Sequence, residues 1–161
     1  MYDVLEVCRH IIKYCNLHGY GVSNLKLQKL LYFIQAYFLI ASPDKQPCFH
    51  EAIEAWDFGP VVPEAYHEFK QFGSAYIPFK NFFLDYSSEN IFNVKRVPFI
   101  DNIISEVDKT LIDAVIEKFK YYTATDLVRI THNQRPWQEA HARKYNREIT
   151  KNSLKEYFNG K

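Results

Sequence analysis

A chain of 161 residues is long enough for one domain with a substantial hydrophobic core. With 47% hydrophobic, 24% charged and 17% aromatic residues, its composition is that of a globular protein and excludes low-complexity disorder. The net charge of +1 is unevenly distributed, because residues 1–108 carry nine Lys/Arg and thirteen Asp/Glu, whereas residues 109–161 carry eleven and six. The basic C-terminal third suits an acidic partner or nucleic acid, but we favour solvated helix faces that pair with the acidic part.

Several features of the sequence predict where in the cell the protein is located. The N-terminal part of the chain carries neither the basic region nor the apolar region of a signal peptide. The longest apolar stretch, residues 30–41, is too short to span a membrane. Cys8, Cys15 and Cys48 are an odd number of cysteines, and the first two fall on one predicted helix, so we expect no disulfide framework. These features predict a cytoplasmic protein with no membrane partner.

Two helices are predicted first. Apolar residues at helical spacing predict a helix over residues 3–18, and Gly19 and Gly21 mark its end. Ser23 or Asn24 can cap the next helix, over residues 25–41. Because this second helix is apolar on nearly all sides, we expect it at the buried centre of a helical bundle.

The segment 51–66 is the most informative part of the sequence. A half-buried strand pattern over residues 53–58 runs into Gly59 and Pro60, and a helix pattern follows that ends near Gly73. The glycine permits a sharp corner, and Pro60 and Pro63 favour the first turn of a helix, so we predict a strand, a corner and a helix. Residues 74–101 contain short apolar runs that fit either short strands or an irregular aromatic wrap.

The C-terminal third predicts further helices. Regular apolar spacing predicts a helix over residues 102–121. Thr123 and Asp126 form a capping-box pattern ahead of a short helix over residues 126–132, Pro136 lies at the start of another, and Thr150 can cap the last helix. The expected fold is mainly α: a single compact helical domain over residues 1–161, with a small β element near residues 51–58 and possibly 75–95.

Catalytic and metal-binding motifs are missing from the sequence, which lacks a Walker loop, GxGxxG, GxSxG, HExxH and a CxxC pair. The Cys15–His18 pair has no second pair to complete a structural zinc site. The Glu64–His67 pair is one motif where a di-iron bundle needs two. Asp57 suits general acid–base chemistry only if it is buried, and nothing in the sequence supplies a partner for it. We therefore expect no enzyme activity, no metal and no cofactor.

Residues 132–137 form the second informative site, where a turn between two short helices carries His132, Arg135 and Trp137. Arginine and tryptophan are the residues most often found at interface hot spots. A tryptophan that follows a proline at a helix start more often packs into the core, and we favour that interpretation.

The order of these motifs resembles the Panacea domain family, which includes SocA-like antitoxins and GepA-like proteins encoded by phage or mobile elements. The resemblance covers most of the chain, apart from residues 74–101. It is carried by "KLQKLLYF" at residues 26–33, "IEAW" at 53–56, "GPV" at 59–61, and by the Thr-His and Pro-Trp pairs ahead of a terminal Tyr-Phe. The motif residues, expected to be scaffold, are Lys26, Gln28, Lys29, Tyr32, Trp56, Gly59, Pro60, Val61, His132, Pro136 and Trp137.

The resemblance implies an antitoxin that neutralises a cognate protein toxin by direct protein–protein binding, with no enzymatic activity. Some members act instead as adaptors that deliver the toxin to a protease. As contact surfaces we expect either the aromatic wrap over residues 76–92 or the basic C-terminal helices, represented by Phe82, Phe83, Tyr86, Arg129 and Arg135.

Two other classes of function stay open at this point. The basic residues of the C-terminal third suit a nucleic-acid-binding regulator of the protein's own operon; they are Arg129, Arg135, Arg143, Lys144 and Arg147. A small hydrolase using Asp57 or His132 ranks last, because no pair of base and nucleophile can be named.

Overall fold

A computed structural model describes residues 1–42, 44–85 and 94–160, without the side chains of Phe83 and Asp85. In these residues the fold is mainly α, with a small sheet and a separate hairpin. The helices are α1 (Val4–Leu17), α2 (Asn24–Ala41), α3 (Pro63–Phe69), α4 (Glu106–Phe119), α5 (Ala124–His132), α6 (Arg135–His141) and α7 (Lys151–Asn159). The strands are β1 (Ile53–Trp56), β2 (Gly59–Val61), β3 (Phe82–Asp85), β4 (Lys95–Pro98) and β5 (Glu148–Ile149), and a 3-10 turn at Lys70–Phe72 extends α3.

Helix α2 is the central element, as its all-round apolar sequence predicts. It packs against α1, α3, α4, α5, α7 and β2, and most of its residues are buried. Ser23 caps it by accepting a hydrogen bond from the Lys26 backbone N–H. The buried residues include polar ones, and Gln28, Lys29 and Gln35 are each at most 1% exposed. These polar side chains decide how the neighbouring segments are held.

Short side-chain caps set the starts of most other helices. Asp3, Ser105 and Thr150 cap α1, α4 and α7, and Thr123 and Asp126 form the predicted capping box of α5. The Ser105 cap starts α4 at Glu106, four residues later than the apolar pattern indicates.

The prediction of a strand, a corner and a helix missed one strand. Gly59 has a φ of +101° and reverses the chain, so that β2 pairs antiparallel with β1, Trp56 opposite Gly59. The helix starts only at Pro63. Strand β5 pairs with the other side of β1, which gives the order β2-β1-β5. A two-residue strand carries too little pattern for sequence-based prediction.

Of the two alternatives for residues 74–101, the described part contains short strands. Strands β3 and β4 pair antiparallel, from Phe82 opposite Pro98 to Asp85 opposite Lys95. Ahead of β3, Tyr76 forms an isolated antiparallel bridge with Ser23.

The core is a hydrophobic cluster that includes residues from all seven helices and from β1 and β5. The three cysteines are free and buried, and burial raises the pKa of the Cys15 thiol to about 11. Among the described residues, no helix has the length and apolar character that crossing a membrane requires.

Candidate functional site

Gln28 and Asn24, on α2, hold the start of α3. The Gln28 side-chain oxygen accepts a hydrogen bond from the Val62 backbone N–H at 2.9 Å, and its Nε2 donates to Asn24 Oδ1 at 2.9 Å. Asn24 Nδ2 in turn donates to the Tyr66 carbonyl at 3.0 Å. An unpaired buried polar group costs about 1–3 kcal/mol, so these amides make the path of the chain after β2 specific.

Lys29 lies fully buried beneath the β1–β2 turn. Its Nζ donates to the Pro60 carbonyl at 3.1 Å, and burial lowers its pKa from 10.5 to about 7. A side chain at position 59 would place its Cβ 2.6 Å from Lys29 Cε and 3.0 Å from Thr131 Oγ1, so only glycine leaves room for the lysine. The Lys29 side chain thus bonds to a main-chain group of β2, and the Gln28 side chain bonds to a main-chain group just after β2. Strand β2 forms an edge of the sheet that no other strand covers among the described residues.

Other motif residues of α2 also bind elements around the helix. Tyr32 donates its hydroxyl hydrogen to Gln134 Oε1 at 2.7 Å, which ties α2 to the turn between α5 and α6. Lys26 Nζ donates to the Lys120 carbonyl at 2.9 Å, just after α4, and burial lowers the Lys26 pKa. Two further motif residues, Val61 of β2 and Pro136 of α6, are buried.

A stack of three rings connects α5 and α6 to the β1–β2 hairpin. The Trp137 ring lies between His132, at 4.0 Å between centroids, and His141, at 4.4 Å. Trp137 Nε1 donates to the Trp56 carbonyl at 3.0 Å, and His141 Nε2 lies 2.9 Å from Asp57 Oδ1. Trp137 is only 9% exposed, so the stack belongs to the framework that fixes the β1–β2 turn.

The stack does not give Asp57 the surroundings of a catalytic base. The Asp57 side chain is 82% exposed, and its hydrogen bond with His141 lowers its pKa. Burial lowers the pKa of His132, and a hydrogen bond with the Asp57 main chain opposes that change. The pKa of an exposed, ion-paired carboxylate is not raised toward neutral pH, as the pKa of a general base has to be.

An open groove of about 830 Å³ runs over the outer face of the β2-β1-β5 sheet. In β1, Ile53 and Ala55 are buried, while Glu54 and Trp56 are half-buried and line the groove. The Trp56 ring packs edge-on against Tyr66 of α3 with 5.0 Å between centroids. The other lining residues are Asn24, Leu25, Gln28, Ala52, Ala55, Asp57, Phe58, Val61, Lys70, Gly73, Asn146, Arg147 and Glu148.

A second groove of about 650 Å³ adjoins the first and shares Ala52 and Glu54 with it. Its other lining residues come from α1, from the segment before β1 and from α3; they are Leu5, Glu51, Pro63, Glu64, His67 and Glu68. Burial, together with the charge of Glu51, raises the pKa of Glu64. The two grooves therefore form one surface in which aromatic residues lie beside several carboxylates.

The residues expected in the aromatic wrap fall on the β3–β4 hairpin or outside the described residues. Phe82 is half-buried, and the Arg96 guanidinium lies 4.7 Å from the centre of its ring. Phe83 is opposite Val97 in the hairpin. Tyr86 lies outside the residues that the structure describes.

The basic residues of the C-terminal third are mostly engaged by near neighbours. Arg129 pairs with Asp126 at 3.2 Å, and Arg135 lies 3.6 Å from Glu139. Of the two further arginines, Arg143 donates to main-chain carbonyls of residues 146 and 148, and Arg147 lies 3.7 Å from Asp57. The expected pairing with the acidic part of the chain is thus seen for Arg147, while Arg129 and Arg135 pair within their own helices.

The sequence interpretation did not predict the two grooves. Two signals pointed to them: the excess of Asp/Glu in residues 1–108 and the alternation that puts Glu54 and Trp56 on one face of β1. Strand β5, which adds Glu148, had no signal of comparable strength.

Fold and site together define a mainly α protein built around a buried helix whose polar side chains hold a small antiparallel sheet. Among the described residues, no group of three or more His, Cys, Asp or Glu is arranged to hold a metal ion. The chain belongs to the family described as "Antitoxin SocA-like, Panacea domain", which matches residues 27–138.

A curated relative shows the same relationship over a shorter region. The chain is 49% identical over 57 residues to a protein named "Antitoxin SocA" from Caulobacter vibrioides (strain NA1000 / CB15N). The aligned region is 35% of this chain and covers 29% of the relative's length. No solved structure matches the chain.

Proposed function

We propose that this chain is an antitoxin that neutralises a cognate protein toxin by direct protein–protein binding, without catalysis and as one domain over residues 1–161. The observation that carries the proposal is the family match over residues 27–138, which includes most of α2, the β1–β2 hairpin and the His132–Trp137 ring pair. Free, buried cysteines support a role in the cytoplasm, where thiols stay reduced.

The physical features of the chain support a binding role for the surface and a scaffold role for the motif residues. The motif side chains of α2 make hydrogen bonds inside the protein, and these bonds hold the segments around the helix in place. The grooves next to them have the size of sites that receive side chains of a partner, and they expose aromatic residues. A rigid framework with an adjoining open surface suits recognition of a protein.

Nucleic-acid binding is the weaker alternative. Four of the five basic residues that suggested it make an ion pair or a main-chain hydrogen bond nearby, which leaves fewer charges free for phosphates. A mobility-shift assay with operon DNA at two salt concentrations tests this alternative, because phosphate contacts weaken steeply with salt.

Co-expression with a candidate toxin, chosen from the products of small genes adjacent to the gene of this chain, tests the proposal. Growth rescue together with co-purification of the pair supports neutralisation by binding. Rescue with loss of the toxin and no stable complex supports delivery to a protease instead. No rescue, with DNA binding in the mobility-shift assay, supports the regulator.

The residues expected at the contact surface enter the same assay as alanine variants. They are Phe82, Phe83, Tyr86, Arg129 and Arg135. Rescue that survives all of these substitutions in folded protein moves the contact surface elsewhere.

A further inference from the structure

The two adjoining grooves on the outer face of the sheet differ in charge from the rest of the chain. The acidic residues lining them are Glu51, Glu54, Asp57, Glu64, Glu68 and Glu148, and the basic ones are Lys70 and Arg147. Arg147 is already engaged, since it lies 3.7 Å from Asp57. A surface with this balance attracts cationic groups and repels phosphates, although the chain as a whole has a charge of +1.

The sheet places two of these carboxylates opposite one another. Glu54 of β1 and Glu148 of β5 are direct cross-strand partners, and both are half-buried on the groove side. Like charges in this position destabilise a sheet. Within residues 1–42, 44–85 and 94–160, no lysine or arginine lies at ion-pair distance from either carboxylate. The charges of the pair are therefore not compensated within the described residues, and a cation from outside the chain would compensate them.

Aromatic residues beside this pair favour a particular cation. Trp56 Nε1 donates to Glu54 Oε2 at 2.7 Å, so the carboxylate is held next to the indole ring. Phe58, at the tip of the β1–β2 turn, is 71% exposed and also lines the groove. An arginine side chain both stacks on aromatic faces and pairs with carboxylates through its planar fork, whereas lysine has no fork and acts as a point charge.

We propose that the two grooves form the docking site for a basic segment of the protein partner, with an arginine over Trp56 and between Glu54 and Glu148. This inference rests on the proposed function for the identity of the partner as a toxin. The volumes of about 830 and 650 Å³ hold several side chains, and the aromatic lining of the first groove favours apolar residues beside the arginine. The long carboxylate-lined surface steers such a segment toward the site.

A test without the toxin uses the tryptophans as reporters. The chain has two, and their indole N–H groups donate to Glu54 and to the Trp56 carbonyl respectively. A short capped peptide with one arginine between two phenylalanines is titrated into labelled protein and followed by NMR. The control peptide carries citrulline, which keeps the shape of arginine without its charge.

We expect a saturable shift of the Trp56 indole signal with the arginine peptide and a binding constant weaker by about tenfold or more with citrulline. The Glu54→Gln/Glu148→Gln double variant should lose the preference for the arginine peptide over the citrulline peptide. The matched control is Glu156→Gln, an exposed position on α7 outside both grooves, which should bind as the unmodified chain does. Equal binding of the two peptides by the unmodified chain, or no saturable shift with either, overturns the inference.

The toxin assay separates this inference from the proposed function. If the unmodified chain binds and neutralises the toxin, the double variant should bind it at least about tenfold more weakly and the Glu156→Gln control should not. Equal toxin binding by the double variant overturns the docking site and leaves the antitoxin role intact. If the unmodified chain neutralises no toxin, the antitoxin role fails and the peptide titration alone decides the docking site.

Discussion

Gly59→Ala tests whether the contact between the β1–β2 turn and Lys29 holds the framework together. The substitution has two costs. Gly59 has a φ of +101°, and a non-glycine residue in left-handed conformations costs about 1–2 kcal/mol. The new Cβ would also lie 2.6 Å from Lys29 Cε. An exposed lysine would swing aside, but Lys29 is fully buried and cannot move without losing its bond to the Pro60 carbonyl, at about 1–3 kcal/mol.

The free energy of unfolding should therefore fall by about 2–5 kcal/mol, measured by urea denaturation with circular dichroism. Gly19→Ala is the matched control, because Gly19 has a φ of +69° and no atom lies within 4 Å of the place that its new Cβ would occupy. It should lose only the backbone part, about 1–2 kcal/mol.

A double-mutant cycle isolates the steric part. In a Lys29→Leu background the Cε atom is gone and only the 3.0 Å approach to Thr131 Oγ1 is left, so Gly59→Ala should cost clearly less than in the unmodified chain. If Gly59→Ala costs the same in both backgrounds, the account of Lys29 as the residue that requires glycine at position 59 is refuted.

Three further predictions concern the buried polar groups and the carboxylate pair. Burial lowers the Lys29 pKa from 10.5 to about 7, so the full cost of burying its charge is present below pH 7 and falls as pH rises toward 10.5. Between about pH 7 and 9, the free energy of unfolding of the unmodified chain should therefore rise by up to about 2 kcal/mol relative to that of Lys29→Leu, measured by urea titration. Parallel pH curves for the two proteins would contradict this. Gln28→Leu leaves the Val62 N–H without its acceptor and should lower the free energy of unfolding by about 1–3 kcal/mol, so a loss well under about 1 kcal/mol would show that water replaces the amide. Glu148→Gln removes the repulsion with Glu54 and should raise stability by about 0.2–1 kcal/mol at low salt, with a smaller gain at high salt; a loss of stability would mean that the pair is not repulsive.

Most of the helices were predictable because their signals are local. Apolar spacing locates α1 and α2, and the Thr123–Asp126 capping box marks the start of α5 in the sequence as in the structure. The central position of α2 followed from its apolar residues on all sides. Its polar residues, such as Gln28 and Lys29, gave no sign of their partners, because those partners are main-chain groups more than thirty residues away.

The sheet was harder to predict, because its strands are short and its pairing is non-local. Gly59 and Pro60 were correctly interpreted as a sharp corner, but the same residues also start β2, which needed the register with β1 to be recognised. The candidate docking site depends on this register, since it brings together Glu54 and Glu148, which are 94 positions apart. Charge counts along the sequence show the acidic excess but not that these two carboxylates face each other.

Inhibition of the purified toxin by the purified chain, with no protease present, tests the central claim most directly. The account predicts inhibition that saturates when the two proteins form a stable complex in a fixed ratio. Rescue of growth in cells without inhibition or complex formation in the purified system would contradict neutralisation by direct binding.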